Sequence, residues 1–369
     1  MSQPQIEIIA IAGLAALACA LPGVFLVLRR MSLMSDAISH AILVGIVLAF
    51  FVVRDLNSPL LIVAAMLTGV LTVSLVELLV KSGRLKEDAS IGLVFPALFS
   101  IGVILISRYA GDIHLDTDAV LLGELVYTPF DRAVVLGIEA PKALWTMAAV
   151  LVINLAFIAT LYKELKLSTF DAPLAAALGF TPALIHYALM SLVSLTAVTA
   201  FDAVGSILVV ALVIAPPAAA YMLTDRLPVM LGLAGLFGAT SAVLGYIGAR
   251  ALDSSIAGSI AVVCGIVFLA AIVFAPDRGL LPKALRASRQ RIRFAAQMLA
   301  VHLLNHEGTP EEQEESEVGH IDRHLRWDPL LARRVLAYSQ SRRLVTRAGN
   351  QLRLTPLGRE TARDVIART

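Results

Sequence analysis

RRMSLMSDAISHAILVG, residues 29–45, enters an apolar run through two arginines and then sets one carboxylate and one imidazole inside it. The run continues without a helix breaker to Val53, long enough for an α-helix to cross a hydrocarbon core of roughly 30 Å. Asp36 and His40 are four residues apart, so on that helix they lie one above the other and reach a common point. An unpartnered carboxylate in hydrocarbon costs several kcal/mol, so an intramembrane Asp faces the bundle or a wet pathway and has a partner. Two partners suit this pair: a divalent metal ion held by both side chains, or a structural Asp–His hydrogen bond tying two helices together.

The rest of the chain is of the same kind. Of its 369 residues 58% are hydrophobic and only 16% are charged, against about 25% charged in soluble domains, and mean hydropathy is +0.81. These values exclude a soluble enzyme and describe an all-α polytopic membrane protein. Apolar runs at 6–28, 33–53, 59–80, 89–107, 143–162, 183–201, 204–223, 228–249 and 255–275 predict about nine spans. The first has no charged leader or small-residue cleavage site and reads as a retained span. Cys19 and Cys264 lie in separate apolar runs and imply no disulfide framework.

Arg29, Arg30, Lys81, Arg84, Lys86, Lys163, Lys166 and Arg226 fall in loops on one side, which the positive-inside rule makes cytoplasmic. An odd number of spans then puts the N-terminus outside and the C-terminus in the cytoplasm. The outer loop 112–132 carries His114, Asp116, Asp118 and Glu124, a donor set suited to manganese or zinc if the residues converge, and a solvated acidic loop if they do not. The inner loop 163–182 predicts a short helix outside the membrane, with Asp171 as N-cap, Pro173 in the first turn, Ala176 mid-helix and Gly179 at the C′ position. Pro216-Pro217 predicts a kink or a short unwound turn within a span. Glu77 reads as an i,i+4 partner of Lys81, and Asn154 and His186 as interhelical glue.

With the segments HLDTDAVLLGEL (114–125), FDAPLAAALGF (170–180) and VGSILVVALVIAPPAAAYMLTDR (204–226), the opening stretch resembles the permeases of ABC importers for manganese, zinc and iron. The resemblance covers nearly all of residues 1–280. It implies transport of a divalent transition metal into a bacterial cell across its inner membrane by alternating access, with Mn²⁺ first and Zn²⁺ or Fe²⁺ next, and no permanently bound cofactor. It implies three partners: an ABC ATPase dimer, a second permease subunit of the same or a paralogous chain, and an extracytoplasmic metal-binding protein. Asp36 and His40 match the family's intramembrane coordination pair, His114 and Asp116 fall in a motif of the manganese-type branch, and Asp171–Gly179 matches the coupling helix that seats on the ATPase. No GxxxxGK[ST] segment occurs, so ATP hydrolysis is expected from another polypeptide and not from this chain.

Beyond the permease region, 281–369 departs from the family pattern. A basic, apolar-periodic helix leads through EEQEESE into a stretch that resembles the winged-helix domain of iron- and manganese-dependent repressors. Asp328–Ser341, with Arg333 and Arg334, is the expected recognition helix, and LVTRAGNQLRLT the wing. Such a domain either docks on protein or binds DNA; in a membrane-tethered chain docking is favoured. An alternative for the whole chain is a membrane-anchored, metal-responsive regulator whose winged helix binds DNA. His302 with His306, and His320 with His324, form two i,i+4 pairs, with Glu307 adjacent, and either converge on one cytoplasmic metal or stand as separate histidines on solvated helix faces.

Overall fold

The computed structural model describes residues 2–55, 58–109, 125–135, 137–320, 325 and 327–367. It forms two compact units, Met1–Arg278 and Gly279–Thr369.

The first unit is a helical bundle. Its long helices are α1 (Gln3–Leu28), α2 (Ser32–Val53), α3 (Pro59–Lys81), α4 (Glu87–Tyr109), α5 (Lys142–Thr160), α8 (Pro182–Val204), α9 (Ser206–Leu223), α10 (Leu227–Leu252) and α11 (Ile256–Phe274). Among the described residues these are the nine helices long and apolar enough to span a membrane. A two-stranded antiparallel ribbon, β1 (Arg132–Val135) and β2 (Ile138–Pro141), precedes α5, and two short helices, α6 (Tyr162–Phe170) and α7 (Ala172–Ala177), follow it.

Helix α1 is the centre of the bundle, packed by α5, α8, α9 and α10. Its buried positions are almost all small from Ala12 to Ala20, which lets neighbouring backbones approach where no hydrophobic drive operates between helices. Helix α2 lies in a second group with α3 and α4. Gly45 shows how closely: a Cβ there would meet the Thr68 hydroxyl at 2.0 Å and the Ala64 carbonyl at 2.7 Å.

Prolines shape the interior through the carbonyls they release. Pro22 has no N–H for the Ala18 carbonyl one turn earlier, and the side chain of Asn154 on α5 donates to that oxygen at 2.8 Å. The same amide group donates to Thr196 on α8 at 3.0 Å, so Asn154 joins three helices. Pro217 likewise releases the Val213 carbonyl, and Gly23 of α1 packs onto that oxygen so closely that a Cβ would lie 2.2 Å from it. Helix α9 runs unbroken from Ser206 to Leu223, so the unwound turn expected at Pro216-Pro217 does not form. Both prolines are buried against neighbours, which hold the helix together across the missing donors.

The second unit contains α12 (Leu280–His306), α13 (Glu312–Glu315), α14 (Pro329–Ser341), the hairpin β3 (Val345–Ala348) and β4 (Gln351–Leu354), and α15 (Pro356–Ile366). Ala295, Ala296, Leu299, Ala300 and Leu303 form the buried stripe of α12, at helical spacing, and pack with Val335, Val345, Leu352, Leu354 and Ala362. The hairpin turns at Gly349-Asn350, where Gly349 has φ +66°, the conformation a two-residue turn asks of its first central residue. Arg333 and Arg334 of α14 are exposed.

Candidate functional site

Asp36 and His40 stand in the first half of α2, on the face opposite its buried stripe of Met34, Ser35, Ala37, Ile38 and Ala41. His40 Nε2 lies 3.5 Å from Asp36 Oδ1, close to the separation of about 3.4 Å between two ligands that share a tetrahedral ion at about 2.1 Å. The His40 ring rests against Phe95 and Phe99 of α4, with centroids 5.6 and 5.9 Å away, which fixes the imidazole from one side. The other side is open: the Asp36 and His40 side chains keep 41% and 30% of their surface. Two donors, one carboxylate and one imidazole, therefore converge on a face that the described residues do not close.

The α1–α2 corner beneath this pair is anchored by a polar network that sequence reasoning divided into unrelated parts. Arg30 turns the chain with φ +63°, and Arg29 Nη1 lies 3.1 Å from His186 Nδ1 of α8. Arg29 also donates to Ser168 at 2.9 Å and Thr169 at 3.1 Å, both on α6. His186 Nε2 is 2.8 Å from Glu77 Oε1 on α3. Glu77 also accepts from Tyr187 at 3.0 Å and from Lys81 at 2.8 Å. The Glu77–Lys81 pair is thus one edge of a seven-residue assembly, in which His186 bridges Arg29 and Glu77. The available signal was depth: Arg29, Glu77 and His186 all lie at the same end of their spans. Burial away from water lowers the Arg29 pKa to about 10, still charged at neutral pH.

Asp171 caps α7 by accepting from the Leu174 amide at 2.9 Å, with Pro173 in the first turn. At the other end Phe180 N–H donates to Ala175 O and Gly179 N–H to Ala176 O, both at 3.0 Å, the paired bonds of a Schellman stop with Gly179 at φ +89°. The helix is short but closed at both ends. Ala176 is exposed, and so are Phe170, Leu174 and Leu178, at 57%, 45% and 59%. The capped element thus presents an apolar surface outside the nine spans.

His114 and Asp116 lie outside the described residues, as do Asp118, Glu124 and His324. In the second unit His302 and His306 come together with Glu315, read from sequence as part of an acidic connector, and His320 reaches the other oxygen of that carboxylate at 3.5 Å. Glu307, the acidic neighbour expected there, is instead held by Arg359 of α15 at 2.9 Å.

The ABC 3 transport family profile matches residues 5–275, the whole of the helical bundle. The chain belongs to the ABC 3 transport family. It is 46% identical to the zinc transport system membrane protein TroD of Treponema pallidum, over 95% of this chain and 96% of that one. It is 47% identical to the manganese transport system membrane protein MntD of Bacillus subtilis, over 76% of this chain and 95% of that one. Among solved structures, PsaBC from Streptococcus pneumoniae in complex with Fab matches with a TM-score of 0.62 at 30% identity, over 75% of this chain and 94% of the matched chain. The TroD match leaves so little of the chain uncovered that it runs through most of the second unit, whereas MntD is covered almost end to end without it. As a member of this family the chain is a multi-pass ABC permease component, distinct from the ATPase.

Proposed function

We propose that this permease carries a divalent transition metal ion into the cytoplasm, Mn²⁺ foremost and Zn²⁺ or Fe²⁺ next, with Asp36 and His40 as donors along the path. The carrying observation is the pair itself: a carboxylate and an imidazole at a metal's bite distance on the open face of a membrane helix. Oxygen and nitrogen donors without a thiolate suit this group of ions. The relatives named for zinc, manganese and chelated iron transport support the same cargo class.

The open face also argues for a second permease subunit. A half-exposed Asp within a span is unfavourable against lipid, and a partner subunit on this face would cover it while completing the ion's coordination. His114 and Asp116, on the outer loop, are proposed to receive the ion from an extracytoplasmic metal-binding protein. The capped helix α7 is proposed to seat on an ABC ATPase dimer, with Asp171 and Gly179 fixing its ends and Ala176 at the contact. By the positive-inside rule the basic loops favour α6 and α7 in the cytoplasm and the start of α1 outside. In keeping with this, Glu7 near the start of α1 pairs at 3.3 Å with Arg132 of the ribbon, while Arg29 at its end joins α6.

Uptake of labelled Mn²⁺ and Zn²⁺ in cells lacking the gene, complemented with Asp36→Ala or His40→Ala, tests the path. Loss of uptake with the protein still inserted and assembled is expected; wild-type uptake by both variants refutes the site. A bulky residue at Ala176 is expected to abolish co-purification of the ATPase while metal binding persists.

A further inference from the structure

We propose that His302, His306, Glu315 and His320 form a second metal site, outside the spans, for a first-row divalent ion of the zinc type. It is independent of the intramembrane pair. His302 and His306 project from adjacent turns of α12, with ring centroids 4.9 Å apart. Glu315, the last residue of α13, points its carboxylate at both neighbours: Oε2 is 3.2 Å from His302 Nε2, and Oε1 is 3.5 Å from His320 Nε2. One ligand atom each from His302, His306 and Glu315 lies within 4.8 Å of the others, so modest side-chain rotation brings the three to the separations a shared ion requires.

The surroundings suit an ion better than a chain of histidine–carboxylate pairs alone. His302 and Glu315 keep only 9% and 12% of their side-chain surface, so the centre of the cluster is largely withdrawn from water while His306 and His320 leave an entry. Two further carboxylates stand behind the outer imidazoles, Glu311 at 3.8 Å from His306 Nδ1 and Glu314 at 3.9 Å from His320 Nδ1. At those distances they act through charge and not through a hydrogen bond, and added negative charge favours a cation in the cluster. Three nitrogens and one oxygen, with no thiolate, favour Zn²⁺ over Mn²⁺ in the usual order of affinities. Metal there would staple the C-terminal turn of α12 to α13, an element of four residues that has no buried side chain of its own.

The test uses the full-length protein carrying Asp36→Ala and His40→Ala, purified through a histidine-free tag, and titrated with Co²⁺ and then Zn²⁺. One Co²⁺ per chain with the strong visible bands of four-coordination, displaced by Zn²⁺, is expected. Glu315→Gln, which keeps the shape, and His306→Ala, at the more exposed histidine, are each expected to weaken binding about tenfold or more. Absence of bound Co²⁺ in the Asp36→Ala/His40→Ala protein overturns the proposal, as does an affinity unchanged by both Glu315→Gln and His306→Ala. Normal uptake by the Asp36→Ala/His40→Ala protein would refute the intramembrane path and leave this result standing.

Discussion

Asn154→Leu should destabilise the bundle, and Pro22→Ala should remove most of that effect. Asn154 is fully buried and satisfies the Ala18 carbonyl, which lost its own helix's donor to Pro22. A buried acceptor left without a donor costs about 1–3 kcal/mol, while interhelical bonds measured in membranes average about 0.6 and reach about 1.7 kcal/mol. The Thr196 bond adds little, because that hydroxyl also donates to Leu192 O at 2.8 Å and keeps a partner. A loss of about 1.5 kcal/mol is therefore expected for Asn154→Leu, roughly a twelvefold change in the unfolding equilibrium. Replacing Pro22 with alanine restores an N–H to Ala18 O, so in that background Asn154→Leu should cost no more than about 0.5 kcal/mol, a coupling of about 1 kcal/mol. Equilibrium unfolding in mixed detergent–SDS micelles of the four proteins of the cycle measures it. An equal cost in both backgrounds would show that Asn154 acts through packing and not through the released carbonyl.

Gly45→Ala should cost about 1–3 kcal/mol in the same assay, because α2 and α3 must part to clear the Ala64 carbonyl, whereas Gly92→Ala, with nothing within 4 Å, should be neutral or slightly stabilising; equal stabilities would contradict the close seam. Arg29→Ala is expected to lower metal moved per ATP hydrolysed while the ATPase still co-purifies, since it frees the α1–α2 corner from α6; unchanged coupling in reconstituted vesicles counts against the network's role. In the second unit the Arg359 hydrogen bond and charge hold the Glu307 carboxyl below its usual range. Its folded pKa is thus below the unfolded one, so the stabilisation is present above the unfolded value of about 4.3 and disappears as pH falls through the lower, folded value. Hydrogen exchange in α15 should separate Arg359→Ala from wild type at pH 7 and cease to do so in acid; a difference that persists in acid would exclude the ion pair as its cause.

The spans were legible because length and hydropathy report them directly, and the Asp36–His40 face because four residues on a helix is a fixed geometry. The capped helix at 171–179 was equally legible, since Asp, Pro and Gly each act within one turn. What could not be read was any partnership across the bundle. Glu77 meets Tyr187 from 110 residues away, and Asn154 meets Ala18 from 136, and nothing local in either stretch encodes the other. The strands within 132–141 left no signal in the sequence, because four residues are too few to show alternation. Glu315 was lost in a run of like residues, of which only the fold selects the one that faces the histidines.

Where Gly23 meets Val213, the two helix backbones face one another across a carbonyl that no N–H of its own turn claims. A contact of that kind holds by about 0.5–1 kcal/mol and has a broad angular tolerance, unlike a strong hydrogen bond that must break before anything moves. The joint between α1 and α9 is therefore a closely fitted one, with the Val213 carbonyl and the Pro217 ring both seated against Gly23. Any side chain at position 23 would have to push those two backbones apart, so the chain can keep this seam only with glycine on one helix and the carbonyl released by Pro217 on the other.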